Sequence, residues 1–357
     1  MTTEELREKL HSIMPYDRAL YLACKSGWDH IAKPLDSMGK FEELLSRISA
    51  IQGKVAANLL RAKLLVCCAD NGIVEEGVSQ SGQEITAICA ESIGGGRSSV
   101  AIMAKEAGVE VSAIDVGIHA DRKLANVCER KVRPGTRNFA KEPAMTQEEM
   151  LYAIETGIQL VSESREQGMT ILCIGEMGIG NTTTSSAVTA ALLGLPVEAV
   201  TGRGAGLDDE KLKHKIQVIR EAIEKYGLQD AEKDPLDVLR CVGGLDIACM
   251  AGICMGGALY HVPIVLDGFI SMAAALIACR VQPLIKEYLI PSHCGKEPAM
   301  QKIAEQLRLS PVIFADMALG EGTGAILMMQ LLKTANAVYE KSVSFEVAGI
   351  AQYERYK

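Results

Sequence analysis

Hydrophobic positions fall into two regimes along the chain. Over residues 1–60 they recur at helical spacing. "TTEELREKLHSIM" and "FEELLSRISAIQG" each set an apolar stripe against a charged face, with Thr3 as a candidate cap of the first. The Pro- and Gly-bearing "KPLDSMGK" separates these two regions. Beyond residue 60 the pattern changes to short, unbroken apolar runs that each stop at an acid and a nearby glycine. "AKLLVCCADNG" stops at Asp70, "VEVSAIDVG" at Asp115, "MTILCIGEMG" at Glu176 and "VPIVLDGF" at Asp267. Runs this short, rich in Val, Ile, Leu and Cys, predict strands buried on both faces, as in a parallel sheet. Strands of such a sheet point one way. The four acids are therefore expected at one carboxyl edge, where open α/β sheets bind ligands.

Helical patterns lie between the runs. Thr146 and Glu149 form a capping box ahead of "EEMLYAIETGIQLVSES". Asp208 precedes "DEKLKHKIQVIREAIEKYG", which stops at Gly227. "DIACMAGICMGGALY" is apolar almost all round and predicts a buried helix. "GAILMMQLLKTANAVYEK" predicts a long amphipathic helix suited to pack with the N-terminal ones as a small second domain. Residues 117–145 show no clear element. A segment that long in a compact domain is functional, mobile, or holds a short β-ribbon.

Composition narrows the class. With 48% hydrophobic and only 4% aromatic residues, the core is built from Ala, Gly, Ile, Leu and Met, which suits packed α/β layers. A net charge of −8 and the lack of a basic stripe argue against a nucleic-acid partner. Eleven cysteines, an odd number with no C-x-x-C pair, read as small core residues in a reducing cytosol, with no zinc site. The N-terminal "MTTEELREKL" is too charged for a secretory signal. The apolar stretch "IACMAGICMGGALY", fourteen residues, is too short to span a bilayer.

Three glycine clusters carry the candidate chemistry. In "GEMGIGNTTTSS" (175–186), Gly175 and Gly180 keep Walker spacing, but Asn181 and Thr182 stand where Lys and Ser or Thr belong. A magnesium–triphosphate site would need that lysine, and a dinucleotide loop would need a third glycine. Two readings remain: a single phosphate held by helix N-terminal amides and Thr182–Thr184, or a tight turn that requires small residues. "TGRGAGLDD" (201–209) is either a second wall of that pocket or an ordinary loop. Lys215, preceded by His214, either supplies the missing charge from the next helix or is solvated. In "ALGEGTGA" (318–325), Glu321 stands between Gly320 and Gly322 just before a helix. It is either a shielded general base or a charge favouring a helix N-terminus. His119 and His293 fall in loops of the same face and read as solvated or capping residues.

Together these segments resemble the nicotinate-nucleotide–dimethylbenzimidazole phosphoribosyltransferase family of cobalamin biosynthesis. The resemblance runs nearly end to end through "KPLDSMGKFEEL", "CADNGIVEEGVSQ", "IDVGI", "GTRNFAKEPAMT", "GEMGIGNTTTSS", "CVGGLD", "VLDGF", "YLIPSH" and "LGEGTGA", in matching order and spacing. It implies a Rossmann-like, mostly parallel sheet flanked by helices over residues 61–325. A small helical domain of residues 1–60, completed by the C-terminal helix over 326–357, and a cytoplasmic homodimer are also implied. The implied reaction moves phosphoribose from nicotinate mononucleotide to 5,6-dimethylbenzimidazole, with inversion at C1′ and no cofactor. By resemblance Glu321 is the base and Glu176 assists. Gly178, Asn181, Thr182, Gly204 and Lys215 fall on the phosphate side, Asp246 and Asp267 near the ribose, and Ser81 and Leu319 beside the benzimidazole. Departures from the common family residues are Asn71 for His, Ala318 for Arg, Glu142 and Asp36 for Gly, and Cys89 where Gln can stand. They leave the acceptor open among benzimidazoles, purines and phenols. A non-catalytic nucleotide sensor is the alternative on the same fold.

Overall fold

Six strands form one sheet in the computed structural model, which describes residues 1–230 and 232–355. They are β1 (Ala62–Ala69), β2 (Glu110–Gly117), β3 (Val127–Glu129), β4 (Ile171–Met177), β5 (Ile264–Val265) and β6 (Leu289–Ile290). Their spatial order is β3-β2-β1-β4-β5-β6, and every neighbouring pair is parallel. The apolar runs become strands because helices cover both faces: in β1 only Lys63 escapes full burial, and β4 is buried through Glu176. Asp115 and Glu176 close β2 and β4, while Asp70 and Asp267 follow β1 and β5. All four acids thus reach one edge. The chain reverses direction across the sheet between β1 and β4, which makes the crevice there the switch point where such sheets bind ligands.

Helix ends follow the local signals. Thr146 and Glu149 form their capping box, and Asp208 caps helix Asp209–Lys225 through the Lys211 amide. The first helix, Thr3–His11, is capped by Thr2 rather than Thr3. The reason is the box: Glu5 lies three residues after Thr2 and accepts its amide at 2.7 Å, whereas the residue three after Thr3 is Leu6. Helix Leu245–Leu259 is buried at every position but Leu259, as its unbroken apolar composition demands. Residues 117–145 contribute β3, a three-residue edge strand.

The N-terminal helices pack with the C-terminal region. Trp28 is fully buried with its ring 4.8 Å from that of Tyr339, Ile31 bridges to Ser344, and Arg355 pairs with Asp29 and Asp36 at 2.8 and 2.7 Å. Leu6 and Leu10 instead join the core on the other face of the sheet, with Met150 and Leu151. All eleven cysteines are free and eight are buried, which agrees with their reading as core residues. Among the described residues no helix is long and apolar enough to cross a membrane.

Candidate active site

A cavity of about 360 Å³ opens at the carboxyl edge of the sheet. Of the residues singled out from the sequence, Glu176, Gly178, Asn181, Thr182, Gly204, Asp267, Leu319 and Glu321 line it. Lys215 and Asp246 stand one layer behind. Lys215 donates from Nζ to Thr182 Oγ1 at 3.0 Å and to Gly202 O at 3.3 Å. Asp246 accepts from Asn181 Nδ2 at 3.1 Å and from the Ile247 amide at 2.9 Å. Ser81 lies outside the lining and follows the lining residues Val78–Gln80.

Glu321 is held by unusual backbone geometry. Gly320, Glu321 and Gly322 have φ of +86°, +60° and +98°, three left-handed residues in succession. A side chain in that region costs roughly 1–2 kcal/mol, so the two flanking positions favour glycine and the central one needs support. That support comes from two strand ends. Asp267, after β5, accepts the Gly322 amide at 3.0 Å and the Gly324 amide at 2.8 Å. Glu176, in β4, accepts the Glu321 amide. A Cβ on Gly175 would lie 2.4 Å from the Glu321 carbonyl oxygen, so only glycine lets β4 approach the turn. The Glu321 side chain reaches across to helix Ser99–Ala107 and accepts the Val100 amide at 3.3 Å. Its charge thus faces the N-terminus of a different helix from the one it precedes.

The opposite chemistry governs the neighbouring buried groups. Glu176 is 8% exposed, and burial pushes its carboxyl up to about 8, aided by the nearby charges of Asp246 and Asp267 and opposed by the Asn181 amide. Asn181 spans both acids, donating to Glu176 and to Asp246. Burial likewise pushes Asp246 up to about 6. At neutral pH Glu176 therefore holds its proton. Lys215 is fully buried, not solvated, and desolvation pushes it down to about 8 while the Glu297 charge opposes the fall. Through Thr182, its ammonium backs the glycine loop that enters helix Asn181–Leu193. Among the described residues no group of three or more His, Cys, Asp or Glu is placed to hold a metal ion.

A family profile described as phosphoribosyltransferase matches residues 13–350. The chain belongs to that phosphoribosyltransferase family. The nicotinate-nucleotide–dimethylbenzimidazole phosphoribosyltransferase of Clostridium acetobutylicum is 41% identical over 329 residues, 92% of this chain and 93% of the relative. Its counterpart in Acetivibrio thermocellus is 42% identical over 326 residues, 91% of this chain and 92% of the relative. The crystal structure of the enzyme of the same name from Thermus thermophilus superposes with a TM-score of 0.87 at 37% identity, over 94% of this chain and all of that one.

Within this phosphoribosyltransferase the cavity also holds one residue that the sequence reading placed differently, His293, and three that it did not single out. His293 is 5% exposed and lines the cavity, with Nδ1 3.1 Å from Ser292 Oγ and 3.8 Å from Asp267 Oδ1. It is neither solvated nor a cap, because the short β6 carries it inward beside β5. Arg203, Lys296 and Glu297 line the cavity too. Burial raises the Glu297 carboxyl, and its Oε2 has no hydrogen-bond partner among the described residues. Arg203 stands inside the second glycine cluster, whereas Lys296 and Glu297 lie in "SHCGKEPAM", far along the chain from all three clusters. His119, by contrast, is exposed and gives its amide to Asp70.

Proposed function

We propose that the protein transfers phosphoribose from nicotinate mononucleotide to 5,6-dimethylbenzimidazole, forming α-ribazole 5′-phosphate and nicotinate. One observation carries the reading: the walls of a single cavity hold both a reachable carboxylate, Glu321, and a glycine-rich helix N-terminus backed by Lys215. The volume, about 360 Å³, lies in the range of small-molecule sites. The substrates named for the full-length relatives support it.

The chemistry suits these groups. The acceptor's unprotonated ring nitrogen attacks C1′ while the bond from C1′ to the pyridinium nitrogen breaks. The electron pair of that bond neutralises the departing nicotinate, so no pyrophosphate needs a magnesium partner. The acceptor's second nitrogen gives its proton to Glu321. Attack opposite the leaving group turns the β-linkage into α. Glu176, protonated to about pH 8, is a poor proton acceptor at neutrality and serves by binding the Glu321 amide. The glycine loop and Thr182 receive the donor's phosphate, with the Lys215 charge behind Thr182 favouring the anion.

The grouping of residues 1–60 with 326–357 as a small helical domain belongs to the same reading. The Trp28–Tyr339 contact supports it, whereas Leu6 and Leu10 side with the larger unit. So does a homodimer, which light scattering tests directly. The reaction is tested by chromatography of nicotinate mononucleotide and 5,6-dimethylbenzimidazole incubated with the protein and EDTA. α-Ribazole phosphate is the expected product. If no imidazole, purine or phenol yields product while the mononucleotide still binds, the protein is a sensor and not a transferase.

A further inference from the structure

We propose that Asp267 is a positioning residue for Glu321: it holds the left-handed turn that aims the base, and it does not bind the donor's ribose. The role rests on Glu321 being the proton acceptor.

The argument starts from the helix that follows the base. Helix Thr323–Lys341 has Gly322 as its N-cap, and a glycine has no side chain to satisfy the first amides. Thr323 and Gly324 are buried, so solvent does not take that place. Asp267 supplies the cap from another element. Each of its two oxygens accepts one amide, Oδ2 from Gly322 and Oδ1 from Gly324, and the residue is 2% exposed. A carboxylate engaged on both oxygens by main chain is oriented by the turn and in turn fixes it. The residue immediately before Gly322 is Glu321, the one residue of the left-handed run with a side chain to strain. Relaxing the Gly322 amide would let that run move toward an ordinary backbone conformation and swing the carboxylate off the Val100 amide. The rigid partner in this arrangement is the sheet: β5 sets Asp267, and β4 sets Gly175 and Glu176 on the other side of the turn.

The test compares Asp267→Asn, Glu321→Gln and the double variant in steady-state transfer. Asp267→Asn keeps the shape but presents an NH₂ group to one of the two amides. A misplacement of about 1 Å in a reacting group costs on the order of 100-fold, so kcat is expected to fall roughly 10- to 100-fold with little change in donor KM. In the Glu321→Gln background the same substitution should cost almost nothing, because there is no base left to misplace. Donors lacking the 2′- or 3′-hydroxyl should lose the same factor in the wild type and in Asp267→Asn. Should Asp267→Asn misfold, as judged by circular dichroism, Gly322→Ala disturbs the run from its other side and should show the same kcat loss and the same silence in the Glu321→Gln background. A donor KM that rises in Asp267→Asn and an effect that vanishes with a deoxy donor would place Asp267 on the sugar and overturn the proposal. Full additivity with Glu321→Gln would overturn it too, while leaving the reaction standing. A wild type that makes no product overturns the reaction itself and this role with it.

Discussion

At one wall of the cavity, Glu321 stands on three left-handed residues, half-buried, with its carboxylate against the Val100 amide. At another, Lys215 lies wholly buried behind Thr182, and Glu176 is almost as deep. The first group is fixed by backbone geometry, which leaves its side chain within reach of a substrate. The others are fixed by burial, which shifts their proton equilibria instead, Lys215 down and Glu176 up, both to about 8. The contrast separates two tasks. On the proposed mechanism, the group that exchanges a proton with substrate is aimed by strain held elsewhere. A group that sets field or scaffold can be taken out of water.

The largest effect should come from Glu321→Gln, which keeps shape but cannot accept a proton: kcat falls about 10²- to 10⁴-fold at similar donor KM. Full activity in that variant would break the comparison and move the proton to Glu176. Next, Lys215→Met should lower kcat/KM for nicotinate mononucleotide roughly 10- to 100-fold, because it removes the positive charge that orients Thr182 from one layer behind the loop. With nicotinate riboside, which has no phosphate, the same variant should match the wild type. If both donors lose equally, Lys215 is scaffold alone.

Smaller still is a pH effect on the wild type. Lys215 is pushed down to about 8, so its charge is lost as pH rises through that value. Donor KM should then climb by up to about tenfold per pH unit, and Lys215→Arg should abolish the climb. The smallest effect is on stability. Glu176 titrates near 8 in the folded chain against the ordinary 4.5. Between these values the native state binds the extra proton. The contribution of Glu176 is therefore fully present below 4.5, shrinks as pH rises, and is lost above 8. The slope is at most about 1.4 kcal/mol per pH unit. Denaturant titrations between pH 7 and 8, above the midpoint of Asp246, should show it in the wild type and not in Glu176→Gln.

Much of this arrangement was legible beforehand, and the misses share a cause. Four apolar runs ending in an acid beside a glycine became four strands, from the eight-residue β1 to the two-residue β5, so the run with its acid and glycine was the readable mark rather than strand length. β3 and β6 carry no such acid–glycine ending, and β6 is the strand that turns His293 inward. Lys215 sits in a helix whose charged sequence, "DEKLKHKIQVIREAIEK", gives no mark of which lysine is covered. Only the glycine cluster at 201–204 packing against it decides that.

By itself the sequence determined that Asp70, Asp115, Glu176 and Asp267 share one edge, since parallel strands must all end on the same side. It also determined the glycine-flanked acid and the lysine-free glycine loop ahead of helix Asn181–Leu193, because these are local strings. That both oxygens of Asp267 go to backbone amides while Glu321 accepts one amide across the cavity was decided only in three dimensions. Glu321 and Asp267 are 54 positions apart in the chain. They are joined through two amides, those of Gly322 and Gly324, that find Asp267 only once β5 and helix Thr323–Lys341 have packed together.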